Sequence, residues 1–144
     1  MFTVDVTQDF PQPLSHVFQD FHDHEKLGRI LRAPMKHIQD GHGEGGKHGV
    51  GSMRRVGPPG PLAFEETVVS YETDKLIEYK VTRGSPIKNH LGRMVFSERP
   101  GGGCRLHYTI TFEAKLAPLG PPIRWLLDRS ITAALARYAA RERR

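Results

Sequence analysis

The sequence predicts an α+β fold: one curved, seven-stranded antiparallel sheet wrapped around a long C-terminal helix, with two short helices after the first strand. Three observations predict it. After Gly120, Pro121 and Pro122 open a run in which Ile123, Leu127, Ile131, Ala134, Leu135 and Tyr138 recur at steps of three and four, the apolar stripe of one helix. From Met35 onward, alternating apolar and polar residues are punctuated by Gly, Pro and Asp, and no interval is long enough for a crossover helix. No second long amphipathic helix exists to cover the first, and that helix is too polar to cross a bilayer. Its stripe must therefore lie on the sheet. Where sheet and helix do not meet fully, a cavity remains as the candidate site.

Phe2, Val4 and Val6 alternate with Thr3, Asp5 and Thr7, a half-buried strand whose apolar phase Phe10 continues. Pro11 and Pro13 break it. Leu14, Val17, Phe18 and Phe21 then fall at helical spacing and predict a helix from Pro13 to Asp20; a second runs from His24 to Leu31, and Pro34 ends it. Strands are expected at Lys36 to Asp40, Val50 to Val56, Phe64 to Tyr71, Lys75 to Thr82, His90 to Ser97 and Arg105 to Ala114. The five glycines between Gly41 and Gly49, the Gly and Pro run from Gly57 to Pro61, and the triplet Gly101 to Gly103 read as the turns between antiparallel neighbours. The last helix spans Pro121 to Arg144. With no repeat or linker, residues 1–144 read as a single ligand-binding domain.

The net charge of +5 is local. Arg124, Arg129, Arg137, Arg141, Arg143 and Arg144, against Asp128 and Glu142, place +4 of it on the final helix. A solvated basic end is the bland reading; an anionic membrane surface or an acidic partner is the alternative. Arg54, Arg55, Arg83, Arg93, Arg99 and Arg105 are spread over several strands, but the nearby aromatics alternate to the apolar face, so no stacking platform for nucleic acid forms. Cys104 is the sole cysteine, which fits a reducing compartment. The first ten residues carry no basic region or apolar core of a signal peptide, and the expectation is a cytoplasmic protein. Nothing in the sequence sets an oligomeric state.

Order and spacing together resemble a known superfamily. Val4 to Phe18 looks like its opening strand and helix, and His48-Gly49-Val50-Gly51-Ser52-Met53-Arg54-Arg55-Val56 like the glycine-rich run into its third strand. Phe64 to Tyr71 with Leu76 to Val81 resembles the central hairpin; Gly92 to Phe96 with Gly102 to Leu106 resembles the final one, where Thr commonly stands in place of Cys104. These stretches resemble the START-like, helix-grip (Bet v 1-like) superfamily and its polyketide cyclase/dehydrase-like SRPBCC members. The resemblance covers essentially the whole chain. It implies the helix-grip fold and an internal ligand cavity, but functions in the superfamily range from lipid carriage to polyketide ring closure, and no catalytic signature carries over.

Alternation assigns the cavity wall. Leu106, Tyr108, Ile110 and Phe112 share the inward face of the last strand; Gly92, Met94 and Phe96, then Ile77, Tyr79 and Val81, follow on the two strands before it. Phe64, Glu66 and Val68 are the inward choice on the earlier strand, with Thr67, Val69 and Tyr71 as a rival register. The expected ligand contacts are Phe64, Glu66, Val68, Tyr79, Met94, Phe96, Tyr108, Ile110, Ile131 and Leu135, gated by Gly57 to Leu62 and Gly84 to Lys88. Glu66 is the most informative of them, because a carboxylate in an apolar cavity is costly unless paired, and its pKa rises there. It either serves as an acid–base or orienting group with Tyr79 and Tyr108, or points to solvent or pairs with a strand neighbour such as Arg54.

The eight histidines raise the question of a metal. His22 and His24 fall on different sides of a helix, His37, His42 and His48 in or beside a glycine loop, and no metal motif accompanies them; neither metal nor cofactor is expected. Three functions follow, in order: binding or transport of a hydrophobic or amphipathic small molecule such as a lipid, isoprenoid or polyketide-like compound; a cyclase or dehydratase using Glu66 with Tyr79 or Tyr108; and a membrane-surface or protein-interaction module acting through the basic helix.

Overall fold

A computed structural model describes residues 1–58, 60 and 63–141. Strand β1 (Phe2–Phe10) is followed by helices α1 (Leu14–His22) and α2 (His24–Leu31), then by β2 (Met35–Gln39), β3 (Met53–Val56), β4 (Phe64–Glu72), β5 (Leu76–Arg83), β6 (Ile87–Glu98) and β7 (Cys104–Ala114). Helix α3 (Gly120–Arg141) closes the order after a short 3-10 turn at Ala117–Leu119. The seven strands form one antiparallel sheet ordered β1-β7-β6-β5-β4-β3-β2. This is the helix-grip architecture that the sequence predicts.

The inward phase also follows the alternation. Leu106, Tyr108, Ile110 and Phe112 on β7, Met94 and Phe96 on β6, and Ile77 and Tyr79 on β5 are all buried. On β4 both registers contribute, for a physical reason. Glu66 and Val68 are buried and Val69 is exposed, but the β4–β5 pairing shifts between Val68 and Ser70. The extra residue of a bulge reverses the phase, so Tyr71 packs against the core from beyond the break.

Local differences from the expected boundaries trace to backbone conformations that alternation does not encode. The strand expected from Val50 starts only at Met53, because Gly51 takes a positive φ of 88° and Val50 makes an isolated bridge to His42. The glycine loop before it is a 3-10 turn, Gly43–His48, rather than a simple hairpin turn, and is broken at Gly46, whose φ is 62°. Strand β6 begins earlier than expected, at Ile87, with a register shift between Lys88 and Leu91 around Asn89 at φ 50°.

Helix α3 divides into two parts. Its second half is core: Tyr138 lies 5.3 Å from both Phe10 and Phe21, ring to ring, and its hydroxyl donates to Asp20 Oδ2 at 2.7 Å. Leu135 is fully buried, while Ile123 and Leu127 on the first half are only partly covered. Trp125 is 59% exposed, with the Arg129 guanidinium 5.0 Å over its ring. Among the described residues, no helix is long and apolar enough to cross a membrane.

Close approach to an aromatic ring requires glycine at Gly120 and at Gly92. A Cβ on Gly120 would lie 2.2 Å from the Phe2 ring, and one on Gly92 would lie 2.2 Å from the ring of Tyr79, its cross-strand partner. Gly92→Ala therefore displaces Tyr79 from the sheet surface. The expected loss is about 1–3 kcal/mol of stability, read as a lower urea midpoint, with Leu91→Ala on the same strand as the comparison.

Candidate functional site

The polar centre of the site is built by two short stretches of strand. On β3 the burial alternates so that Arg54 and Val56 point in, and on β4 Glu66 sits directly opposite Arg54. Cross-strand partners share a face of the sheet, so both charges are carried into the interior together. Arg54 Nε donates to Glu66 Oε1 at 2.8 Å, with Arg54 2% and Glu66 7% exposed. The guanidinium carbon lies 4.5 Å over the Tyr79 ring. Tyr79 and Tyr108, from β5 and β7, are hydrogen-bonded through their hydroxyls. Glu66 thus faces inward, as one register required, and it is paired with the neighbour named as its alternative partner.

Electrostatics follows from this packing. Burial pushes the Glu66 carboxyl above its ordinary range, and the Arg54 charge and hydrogen bond only partly draw it back. For Arg54, burial opposes the charge, but Glu66 and the neighbouring tyrosines outweigh it and hold the guanidinium protonated. Burial also raises both phenols, Tyr79 far up and Tyr108 to about 12, so both remain neutral hydroxyls. Arg54 Nη2 is buried without a partner among the described residues.

Beside this centre lies a cavity of about 270 Å³. Its floor is Val56, Glu66, Tyr79, Ile87, His90, Tyr108, Ile110 and Ile131; its less buried rim is Leu31, Ala33, Met35, Phe64, Val81, Leu127 and Ser130. Six of the ten expected contacts therefore line it: Phe64, Glu66, Tyr79, Tyr108, Ile110 and Ile131. The other four, Val68, Met94, Phe96 and Leu135, are buried in the core but lie off the cavity wall. Phe96 packs edge-on against Phe18 and Phe21 instead. Of Ile131, Leu135 and Tyr138 on the apolar stripe of α3, only Ile131 reaches the cavity, joined by Leu127 one turn earlier. Ile87 places the Gly84 to Lys88 turn at the cavity; in the other expected gate, Pro59, Pro61 and Leu62 lie outside the described residues.

Several lining residues escape the alternation argument. Leu31, Ala33 and Met35 come from the end of α2 and the start of β2, where only tertiary packing decides what they meet. Val81 and Leu127 already belonged to the inward phase and the helical stripe, and that signal sufficed to find them. His90 forms part of the cavity floor, accepting the Val81 N–H at its Nδ1 from 3.0 Å.

The pattern describing the family "Polyketide cyclase / dehydrase and lipid transport" matches residues 1–142. The chain belongs to that family. Solved structures agree in fold. A protein from Thermobifida fusca superposes with a TM-score of 0.77 at 16% identity, covering 99% of this chain and 96% of its own. Norcoclaurine synthase from Thalictrum flavum, in complex with dopamine and hydroxybenzaldehyde, gives 0.68 at 12% identity over 99% of this chain and 88% of its own. Ara h 8.0201 gives 0.65 at 16% identity over 96% and 97%. No curated protein matches by sequence.

The sequence reading kept the histidines apart, and the fold brings three together. His24 opens α2, behind an N-cap in which Asp23 accepts from the Glu25 and Lys26 amides. His37 lies on β2 and His48 ends the 3-10 turn. One ring nitrogen of each lies within 4.8 Å of the other two. None of the three lines the cavity. Sequence separation hid the group, because contacts between a helix start, a strand and a glycine turn have no periodic signature.

Breaking the Arg54–Glu66 pair on one side strands a buried charge. Glu66→Gln is expected to cost about 3–5 kcal/mol in urea denaturation, whereas the double variant Arg54→Met with Glu66→Leu recovers most of that loss. A second expectation concerns pH. Burial, reinforced by Arg54, lowers His90 to about 4 from 6.5. The folded state therefore binds fewer protons than the unfolded one between those values, and the His90 contribution is lost as pH falls through that window. Between pH 7 and pH 4 the native protein should lose on the order of 2 kcal/mol more stability than His90→Gln, measured as the difference between their urea midpoints.

Proposed function

We propose that the protein binds and carries a small hydrophobic or amphipathic molecule in the cavity between the sheet and the first half of α3. The observation that carries this reading is an apolar-walled cavity with its buried polar groups on the sheet side: Glu66, His90 and the Tyr79 and Tyr108 hydroxyls. Desolvation of the ligand supplies most of the affinity, and the polar end fixes its orientation. The family description, which joins cyclase or dehydrase activity with lipid transport, fits the same cavity.

Volume narrows the ligand class. About 270 Å³ lies just below the usual range of roughly 300–1,000 Å³ for ligand pockets. A fused aromatic ring pair, a polyketide-like ring or a single medium acyl chain fits such a space; a two-chain phospholipid does not. Carriage is preferred over cyclase or dehydratase catalysis because the carboxylate that would act as base is held by Arg54 at 2.8 Å. The interaction-module reading is weakened by the arginines of α3: Arg124 donates to the Thr3 carbonyl at 3.0 Å, while Arg129 and Arg141 lie over Trp125 and Tyr138. Arg143 and Arg144 lie outside the described residues. A single buried cysteine, its thiol pushed up to about 11 by burial, supports a cytoplasmic site of action.

Calorimetric titration with 2-naphthol and with decanoic acid tests the reading. At least one should bind one to one and raise the melting temperature, while Ile131→Phe, which fills the cavity from α3, should weaken it at least tenfold and leave the fold intact. Equal affinity in the two proteins, or no binding of either probe, would overturn it.

A further inference from the structure

The His24, His37 and His48 group stands outside the ligand cavity, and its hydrogen bonding has a direction. His37 Nε2 is 2.6 Å from Asp40 Oδ1 and His24 Nε2 is 3.4 Å from Ser52 Oγ, while His48 Nε2 faces Asp23 Oδ2 at 3.7 Å, an ion-pair separation longer than a hydrogen bond. The opposite nitrogens converge: His37 Nδ1 and His24 Nδ1 lie 3.0 Å apart, and His48 Nδ1 accepts the His24 backbone N–H at 3.4 Å, a long bond that a metal would replace. The His48 ring stands 4.5 Å from that of His24 and 4.7 Å from that of His37, centroid to centroid.

A carboxylate on the far nitrogen, as Asp40 is for His37, fixes the tautomer that leaves the near nitrogen with its lone pair, and a hydroxyl such as Ser52 can accept in the same way; this is the usual outer shell of a metal-bound imidazole. One shared proton can bridge only a single pair of these nitrogens. A divalent cation takes three lone pairs at once. We propose that His24, His37 and His48 form a binding site for a divalent transition metal, with zinc as the best match to three imidazole donors.

Charge and geometry both suit it. The three donors are neutral ligands, and the two carboxylates behind them, Asp23 and Asp40, balance a dication. The nearest buried cation, Arg54, is already neutralised by Glu66. Tetrahedral Zn–N bonds of about 2.0–2.1 Å place donor nitrogens roughly 3.3–3.4 Å apart. His24 and His37, 3.0 Å apart, are close to this as they stand. The present upper bound of 4.8 Å asks for a movement of His48 of at most about 1.5 Å. His48 can supply it, because it ends a turn with left-handed glycines at Gly43 and Gly46. His22, the fourth histidine nearby, is engaged by the Tyr71 hydroxyl at 2.8 Å, which leaves the remaining coordination position to water.

Such a site would join the start of α2, β2 and the glycine turn, three segments with little apolar surface in common, and would act as a clamp on one end of the domain. It is independent of the proposed ligand.

The test uses the untagged full chain, stripped with a chelator and titrated with zinc chloride in a calorimeter. One equivalent should bind and raise the melting temperature, and X-ray absorption should show three imidazole nitrogens at about 2.0–2.1 Å. His37→Gln, at a half-buried position, should remove that binding, and Asp40→Asn should weaken it by about 10–100-fold. Circular dichroism confirms that each variant folds, and the absorption spectrum of the native protein decides the question even if one does not. Absence of a stoichiometric site, fewer than three imidazole ligands, or equal binding by His37→Gln would overturn the proposal.

Discussion

A guanidinium and a carboxylate facing each other across two antiparallel strands set the terms for the interior of this protein. Arg54 and Glu66 are cross-strand partners with their side chains 2.8 Å apart, and both are almost fully buried. Neither is tolerable inside without the other. Their pairing therefore fixes the register of β3 on β4, which in turn fixes which residues of β4 face the helix. It also supplies the cation over which the Tyr79 ring lies, and from Tyr79 the hydrogen bond to Tyr108 carries polarity across to β7. The polar end of the cavity is one connected set of groups drawn from four strands.

The rest of the cavity depends on α3 behaving as two different objects. Its second half is clamped by Phe10, Phe21 and a hydroxyl bond to Asp20, and Gln12 Nε2 donates to the Tyr138 carbonyl at 2.9 Å. Its first half meets β1 through Gly120 beside Phe2 and the Arg124 bond to the Thr3 carbonyl, while Ile123 and Leu127 are only half-buried. The volume under Leu127 and Ile131 is left open as the cavity. Anchoring at one end is what allows absence of packing at the other.

Most of this architecture was legible because it rests on periodicity. The stripe from Ile123 to Tyr138 and the alternation through β5, β6 and β7 are long, regular patterns, and each names its own buried face. What was not legible depends on single residues that break a pattern or on contacts between unlike elements. The bulge after Val68 turns Tyr71 inward although its phase says outward. Phe96 and Leu135 are buried as expected, yet neither lines the cavity, and Phe96 packs on Phe18 and Phe21 of α1 instead. The meeting of His24, His37 and His48 joins a helix cap, a strand and a turn, and spacing along the chain carries no trace of it. Glu66 marks the boundary: its inward direction could be read from alternation, and its partner could be named, but choosing between a free and a paired carboxylate required the register.

The strand order carries a kinetic consequence. From β2 to β7 every neighbour in the sheet is also a neighbour in the chain, so hairpins can form one after another. β1 is the exception. It lies beside β7, held by side-chain pairs such as Asp9 with Arg105 and Asp5 with His107, which are 96 and 102 residues apart. Closing so long a loop is slow, since its entropy is spent before any contact returns it. During synthesis the first strand emerges early and waits, unpaired, for the last. Until it docks, β7 is an open edge and Phe10 and Phe21 lack their full enclosure. The step that completes the sheet is thus also the one that seats the clamped end of the final helix.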